Sequence, residues 1–313
     1  MSHLLPKKNL VVIVDRSRCD PADFVDITRR ARAQAPDIRV QLLMPRTLHK
    51  LAPVTWDHPT LIVSQVRLQN LRIKRGKLMM PSPIPKLKQA KIMQAAGVAT
   101  PHVVPYQFGM TFDECLWGSH VMLKPADLDF SSKGTGLEVI AAKELSGKRQ
   151  QDFPPDHFAG SHKMLAQKFI DSGPQPVRYR AMTFMGEVLY VMKSTCAPIK
   201  SRDGKIPADF HSKAPELRRE FLPFPEVRAF ARKTAAAFPN WPLLGCDILQ
   251  EAGTGDLYAL EVNPGGNVWH FSSPYNAKDR AAHPEYNALF QSQYGAFDVA
   301  AKALINATRR LAV

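Results

Sequence analysis

Two short apolar segments near the C-terminal end constrain this chain more than any other feature. Leu243-Leu-Gly-Cys-Asp247-Ile-Leu and Tyr258-Ala-Leu-Glu261-Val-Asn263-Pro-Gly265-Gly266-Asn267 are separated by Glu251-Ala-Gly253-Thr-Gly255-Asp256, a run rich in hairpin residues. On a strand, residues two apart point to the same face, so Glu261 and Asn263 share one. An antiparallel partner can bring Asp247 to that face too. These three oxygen donors sit among Ile248, Leu249, Leu260 and Val262. Buried carboxylates are costly unless they are paired or bound to metal. Mg²⁺ suits such a set, because it takes a few carboxylates together with phosphate oxygens.

Upstream, Asn9 to Asp15 reads as a buried strand. Pro21 to Ala35 reads as a helix with Asp20 as N-cap and proline at its first position. Segments 38–43 and 60–64 read as a second and third strand, and this βαβ pattern implies a small parallel-sheet domain. No Gly-x-Gly-x-x-Gly follows the first strand, which excludes a dinucleotide site there. Residues 71–79 predict a hairpin turning at Arg75-Gly76. The Pro-rich joint Met80-Pro-Ser-Pro-Ile-Pro85 marks a domain boundary. A helix over 86–96 ends at Gly97, and strand-rich sequence then runs to about residue 195. Residues 198–225 carry five prolines with Lys200, Arg202, Lys205, Lys213, Arg218 and Arg219, and read as a long loop. A helix over 226–238 and an amphipathic, structural helix over 296–311 complete the chain.

Several of these pieces resemble, in order, the ATP-grasp superfamily. The Lys86-led helix closed by Gly97 and followed by Thr100-Pro101 is similar to its opening segment. Val121-Met-Leu-Lys124-Pro125 resembles the strand whose lysine meets the nucleotide phosphates. Ser131-Ser132-Lys133-Gly134-Thr-Gly136 resembles the Gly-rich loop that closes over them. Leu165-Ala-Gln167-Lys168-Phe169-Ile170 resembles the hinge strand beside adenine. The hairpin from Tyr179-Arg180 through Gly186 resembles the one whose arginine contacts phosphate, and Asp247, Glu261 and Asn263 resemble the metal end. The likeness covers roughly residues 79–290. It implies an α/β (α+β) chain of three parts. These are an N-terminal βαβ domain over 1–80, a central ATP-grasp subdomain with the Gly-rich loop over 81–165, and a C-terminal one with the metal site over 166–313.

The resemblance also implies roles. ATP would be clamped by Lys86, Lys124, the 131–136 loop and the hinge residues Gln167, Lys168, Phe169 and Ile170. Two Mg²⁺ ions, replaceable by Mn²⁺, would sit on Asp247, Glu261 and Asn263. Arg180 and Lys193 would act on phosphate or an acylphosphate, and Asn267 would stand beside the acceptor. The family commonly has Glu where this chain has Lys168, which leaves Asp171 as the candidate for holding the ribose. The implied reaction joins a carboxylate to an amine, or less readily a thiol, through an acylphosphate, with release of ADP and phosphate. A kinase on the same fold would use the same metal residues, and a non-catalytic nucleotide-dependent binding protein is a third reading. His270 follows the metal motif and is a lesser acid–base candidate beside a structural role.

Charge bears on partners. The net charge is +14, and residues 1–78 hold 15 Lys and Arg against 6 Asp and Glu. Their densest cluster runs from Arg67 to Lys77. A basic field concentrates anionic partners, so the cluster reads either as a solvated hairpin that aids solubility or as a surface for an acidic substrate or carrier, and the expected substrate is a small molecule or peptide. Without interleaved aromatics the cluster does not suit nucleic acid. The longest apolar runs fall far short of the roughly 20 residues of a membrane span. The N-terminus carries no apolar signal core, and Cys19, Cys115, Cys196 and Cys246 match no zinc or disulfide framework. The cytoplasm is the expected location, and a homodimer is compatible with all of this.

Overall fold

A computed structural model describes residues 7–50, 57–69, 71, 73–126, 136–197 and 216–313. They form three sheets. The first contains β1 (Lys8–Ile13), β2 (Ile38–Leu43), β3 (Thr60–Ser64) and β4 (Gly76–Met79) in the order β2-β1-β3-β4, every pair parallel. α1 (Pro21–Gln34) connects β1 to β2. Asp20 caps it by accepting from the Ala22 amide, with proline in the first turn, as the sequence predicts. The hairpin expected over 71–79 is not formed. Gly76 instead opens a parallel edge strand at φ +110, and a Cβ there would lie 2.0 Å from the Thr60 carbonyl oxygen. Only glycine permits both that backbone and that approach.

α2 (Lys86–Ala95) leads into a second, antiparallel sheet of β5 (Val103–Pro105), β6 (His120–Pro125), β7 (Glu138–Ala141) and β8 (Met164–Lys168), ordered β5-β8-β6-β7. Because β8 pairs with both β5 and β6, this sheet ends at Lys168 and the boundary expected at 165 cuts a strand. The third sheet, also antiparallel, is ordered β11-β10-β9-β12-β13. Its strands are β9 (Val177–Phe184), β10 (Glu187–Cys196), β11 (Glu216–Glu220), β12 (Leu243–Gln250) and β13 (Leu257–Pro264). The loop read over 198–225 therefore contains an edge strand at Glu216–Glu220, and its residues 198–215 lie outside the described ones.

α3 (Pro225–Ala236) packs on one face of the third sheet. Val227, Ala231 and Ala235 share a core there with Val191, Cys246, Ile248 and Val262, and Met93 of α2 joins it. The other face of that sheet merges with the N-terminal core. Met182, Phe184 and Tyr190 pack with Phe24, Ile27, Trp269 and the apolar face of α4 (Ala296–Leu311). The last helix therefore covers the first sheet, which its sequence position alone did not indicate. Among the described residues no helix is long and apolar enough to cross a membrane.

Candidate active site

Antiparallel register builds the centre of the site. Arg180 of β9 lies opposite Asp247 of β12, and Asp247 lies opposite Glu261 of β13. Residues directly opposite share a face, so these three form a row across the sheet, with Asn263 one step along. Arg180 Nε is 2.6 Å from Asp247 Oδ1. Its Nη2 donates to Asp247 Oδ2 at 3.1 Å, and Asn263 Nδ2 donates to the same oxygen at 2.8 Å. Burial pushes the Asp247 carboxyl upward; Arg180 opposes this and Glu261 adds to it. Burial likewise opposes the Arg180 charge, yet Asp247 raises that guanidinium above its usual value.

Gly245 makes the row possible. A Cβ there would lie 2.9 Å from Arg180 Nη1 and 3.1 Å from Val268 Cγ1. The arginine head lies over the bare glycine, next to the turn that follows β13. Sequence reading passed over Gly245, since its role depends on a side chain from another strand.

The donor set fits a hard, oxygen-seeking cation such as Mg²⁺. With its amide nitrogen on Asp247, Asn263 keeps its carbonyl oxygen as an acceptor. The Glu261 side chain makes no hydrogen bond or ion pair among the described residues and is half-buried beside Asp247. Two carboxylates and an amide oxygen are fewer than three acidic or thiol ligands. Consistently, no group of three His, Cys, Asp or Glu converges among the described residues.

The second sheet supplies cations. Lys124 of β6 donates to Gln167 Oε1 of β8. Burial pushes the Lys124 ammonium down to about 8; Glu261 opposes this and Lys86 adds to it. Those influences place Lys124 within electrostatic reach of both the metal candidate Glu261 and Lys86. Lys86, the first residue of α2, donates to the Pro125 carbonyl at 3.3 Å. Beside Lys124, on the same face of the sheet, Met122, Val139 and Phe169 with Leu137 form a small separate apolar cluster.

The remaining sequence candidates divide. Lys168 alternates to the face opposite Gln167, and its amide is taken by the His102 carbonyl at 2.8 Å. The Phe169 amide goes to the His120 carbonyl at 3.4 Å. Ile170 is buried. Asp171 turns its carboxylate onto the Gly173 amide at 2.8 Å and its carbonyl onto the Ala252 amide. Gly136 begins the described chain leading to β7, whereas Ser131, Ser132, Lys133 and Gly134 lie outside the described residues. Lys193 is not brought to the row. Met192 pairs with Arg180, so its neighbour Lys193 faces the other side of the sheet and pairs with Glu220 at 3.2 Å.

Asn267, beyond β13, accepts from Arg18 Nη1 at 2.7 Å. Nearby, Asp23 of α1 accepts from Trp269 Nε1 at 2.8 Å and from Ser272 Oγ. Burial raises the Asp23 carboxyl against these two donors. The turn after β13 is therefore held by the N-terminal sheet's first loop and helix, a long-range link with no sequence signal. His270 hydrogen-bonds Tyr190 through Nδ1. Burial pushes it down to about 3, helped by Arg180, Arg219 and Arg280, so it stays neutral and structural at physiological pH.

No protein-family model matches the chain, and no curated protein is similar to it in sequence. Solved structures do match. The ATP-grasp ligase PsnB, in complex with a minimal precursor, is 15% identical with a TM-score of 0.51, and the match covers 96% of this chain and 100% of that one. The chain has the ATP-grasp fold. D-alanine–D-alanine ligase from Bacillus anthracis in complex with ATP is 14% identical, covering 97% of this chain and 98% of that one at a TM-score of 0.44. D-cycloserine synthetase DcsG is 13% identical, covering 95% of this chain and 99% of that one at 0.43. Lys124 belongs to the second sheet and Glu261 to the third.

Proposed function

We propose that this ATP-grasp chain is an ATP-dependent ligase that joins a carboxylate to an amine through an acylphosphate. One observation carries the reading. Lys124 of the second sheet, with Lys86 of α2 near it, lies within electrostatic reach of the same Glu261 that shares a face with Asp247, Asn263 and Arg180. Positive side chains and a hard-cation donor set facing one another suit a nucleoside triphosphate, whose phosphates need both.

On this reading the apolar cluster of Met122, Val139 and Phe169 takes the flat base, while Lys86 and Lys124 hold phosphate oxygens. A carboxylate oxygen of the substrate attacks the terminal phosphorus, the bond to the bridging oxygen breaks, and ADP leaves. An amine nitrogen then attacks the acyl carbon, phosphate departs, and the amine loses a proton. Arg180, fixed by Asp247 over Gly245, offers N–H donors to the oxygens on which negative charge develops. Asp247, Glu261 and Asn263 would hold Mg²⁺, which neutralises phosphate charge when bound. Asn267 lines the turn beside this centre.

The test is product analysis. Purified protein with Mg·ATP and a panel of amino acids, small acids and peptides should yield ADP and free phosphate only when both co-substrates are present. A stable phosphorylated product would assign the chain to the kinases instead. The cytoplasmic location is part of the same proposal, since ATP is available there.

A further inference from the structure

The three parallel strands β1, β2 and β3 end in step, with Ile13 opposite both Leu43 and Ser64. The loops that leave them therefore emerge along one edge of the sheet. They carry Arg16 and Arg18 after β1, Arg46 after β2 and Arg67 after β3, all exposed. The basic run from Arg67 to Lys77, contiguous in sequence, is split by the fold. Arg67 joins this edge, whereas Arg75 lies at the opposite end, where its carbonyl accepts from Thr60 at the start of β3.

The same edge faces the proposed reaction centre. Arg18 donates to Asn267, and the Asp20 amide donates to Ser272 at 2.9 Å. In an open parallel sheet the crevice at the carboxyl ends lies where successive connections diverge, here between β1 and β3. Beneath it Gln65 is 3% exposed and its Nε2 has no hydrogen-bond partner among the described residues. Acidic residues are present too, and their side chains are engaged locally. Asp15 accepts from the Ser17 amide, Asp20 from the Ala22 amide, and Asp23 from Trp269 and Ser272. Among the described residues no carboxylate forms a close ion pair with Arg16, Arg46 or Arg67, although Arg18 and Arg46 are near enough to help hold the Asp15 carboxyl low.

We infer that this arginine edge is the recognition surface for the substrate, and that the substrate is a carboxylate-rich peptide or peptide-like acid whose reacting group reaches past Arg18 to the Asn267 turn. The inference rests on the ligase reading and names its substrate class. Guanidinium groups on separate loops suit several carboxylates spaced along a chain, each bound through paired N–H donors.

The experiment uses fluorescent hexa-L-glutamate, hexa-L-glutamine and a single-stranded oligonucleotide of equal charge, with anisotropy as readout on the full chain. Hexaglutamate is expected to bind best, more weakly as salt rises. The triple variant Arg16→Ala, Arg46→Ala, Arg67→Ala should bind it about tenfold more weakly, with thermal midpoint and ATP affinity unchanged. The inference is overturned if hexaglutamine or the oligonucleotide binds as tightly as hexaglutamate, or if the triple variant binds hexaglutamate like the unaltered protein. Binding is read without turnover, so the two readings fail separately. Bound hexaglutamate with no ADP release from any substrate counts against the ligase. ADP release with neutral substrates and no preference for hexaglutamate counts against the arginine edge.

Discussion

Arg180 and Asp247 meet across neighbouring strands with Nε 2.6 Å from Oδ1, on the sheet face that also carries Glu261 and Asn263. Each compensates the other's charge in a half-buried setting, so losing one strands its partner. Asp247→Ala is expected to cost about 1–3 kcal/mol in urea denaturation. It should also slow ADP formation roughly 10²–10³-fold. An unchanged denaturation midpoint would mean that the pair contributes nothing to the fold.

Gly245→Ala probes the same pair from below. The added methyl meets Arg180 Nη1 at 2.9 Å and Val268 Cγ1 at 3.1 Å. Overpacking of this kind costs about 1–3 kcal/mol, and the arginine head must shift. Turnover is expected to fall further than stability does. If activity survives intact, the position of Arg180 over Gly245 is not needed for the chemistry.

Glu261→Gln keeps shape and removes charge. The carboxylate has no ion-pair partner among the described residues, so stability should change by less than about 0.5 kcal/mol. The Mg²⁺ concentration needed for half-maximal ADP formation should rise roughly 10–100-fold. A Mg²⁺ titration of both proteins settles this, and equal midpoints would remove Glu261 from the ligand set.

Lys124 sets a pH dependence. Its ammonium is pushed down to about 8 from 10.5. Below about 8 it is charged and able to hold phosphate; above it the folded protein releases the proton. ATP affinity should therefore weaken as pH rises past 8, and Lys124→Arg should flatten that fall. Stability moves the other way. Between about 8 and 10.5 the unfolded chain binds more protons than the folded one, so Lys124's contribution to stability grows with pH across that window. An ATP affinity that is level from pH 7 to 9.5 would contradict the lysine's role.

Gly76→Ala is a test of the fold rather than the site. The new Cβ would fall 2.0 Å from the Thr60 carbonyl oxygen, with φ at +110. Loss of β4 from the sheet, seen as a lower thermal midpoint and reduced soluble yield, is the expected outcome. Wild-type stability would show that the strand can re-register.

Local features were legible wherever the chemistry is local. Asp20 and Pro21 announced α1, and the Gly-rich turn between Asp247 and Glu261 announced the β12–β13 hairpin and its shared face. Lys193 illustrates the limit. The family resemblance assigned it a role beside Arg180, but face alternation across β9 and β10 depends on a register shift between Val188 and Tyr190 that no residue type signals. The edge strand at Glu216–Glu220 was hidden by its flanking prolines and charges, which read as loop, because strand pairing there is decided by β10.

From the sequence alone came β1 to β3 and α1 of the N-terminal unit, the helix over 296–311, and the acidic and amide side chains grouped on one hairpin face. These follow from short-range periodicity, caps and turns. Tertiary structure alone decided that Arg180 lies over Gly245, that Lys124 comes within electrostatic reach of Glu261, and that Arg18 and Asp23 hold the turn after β13. It also decided that α4 closes the first sheet. Each joins residues far apart in the chain, and such pairings are selected by the packing of whole sheets, which no local pattern encodes.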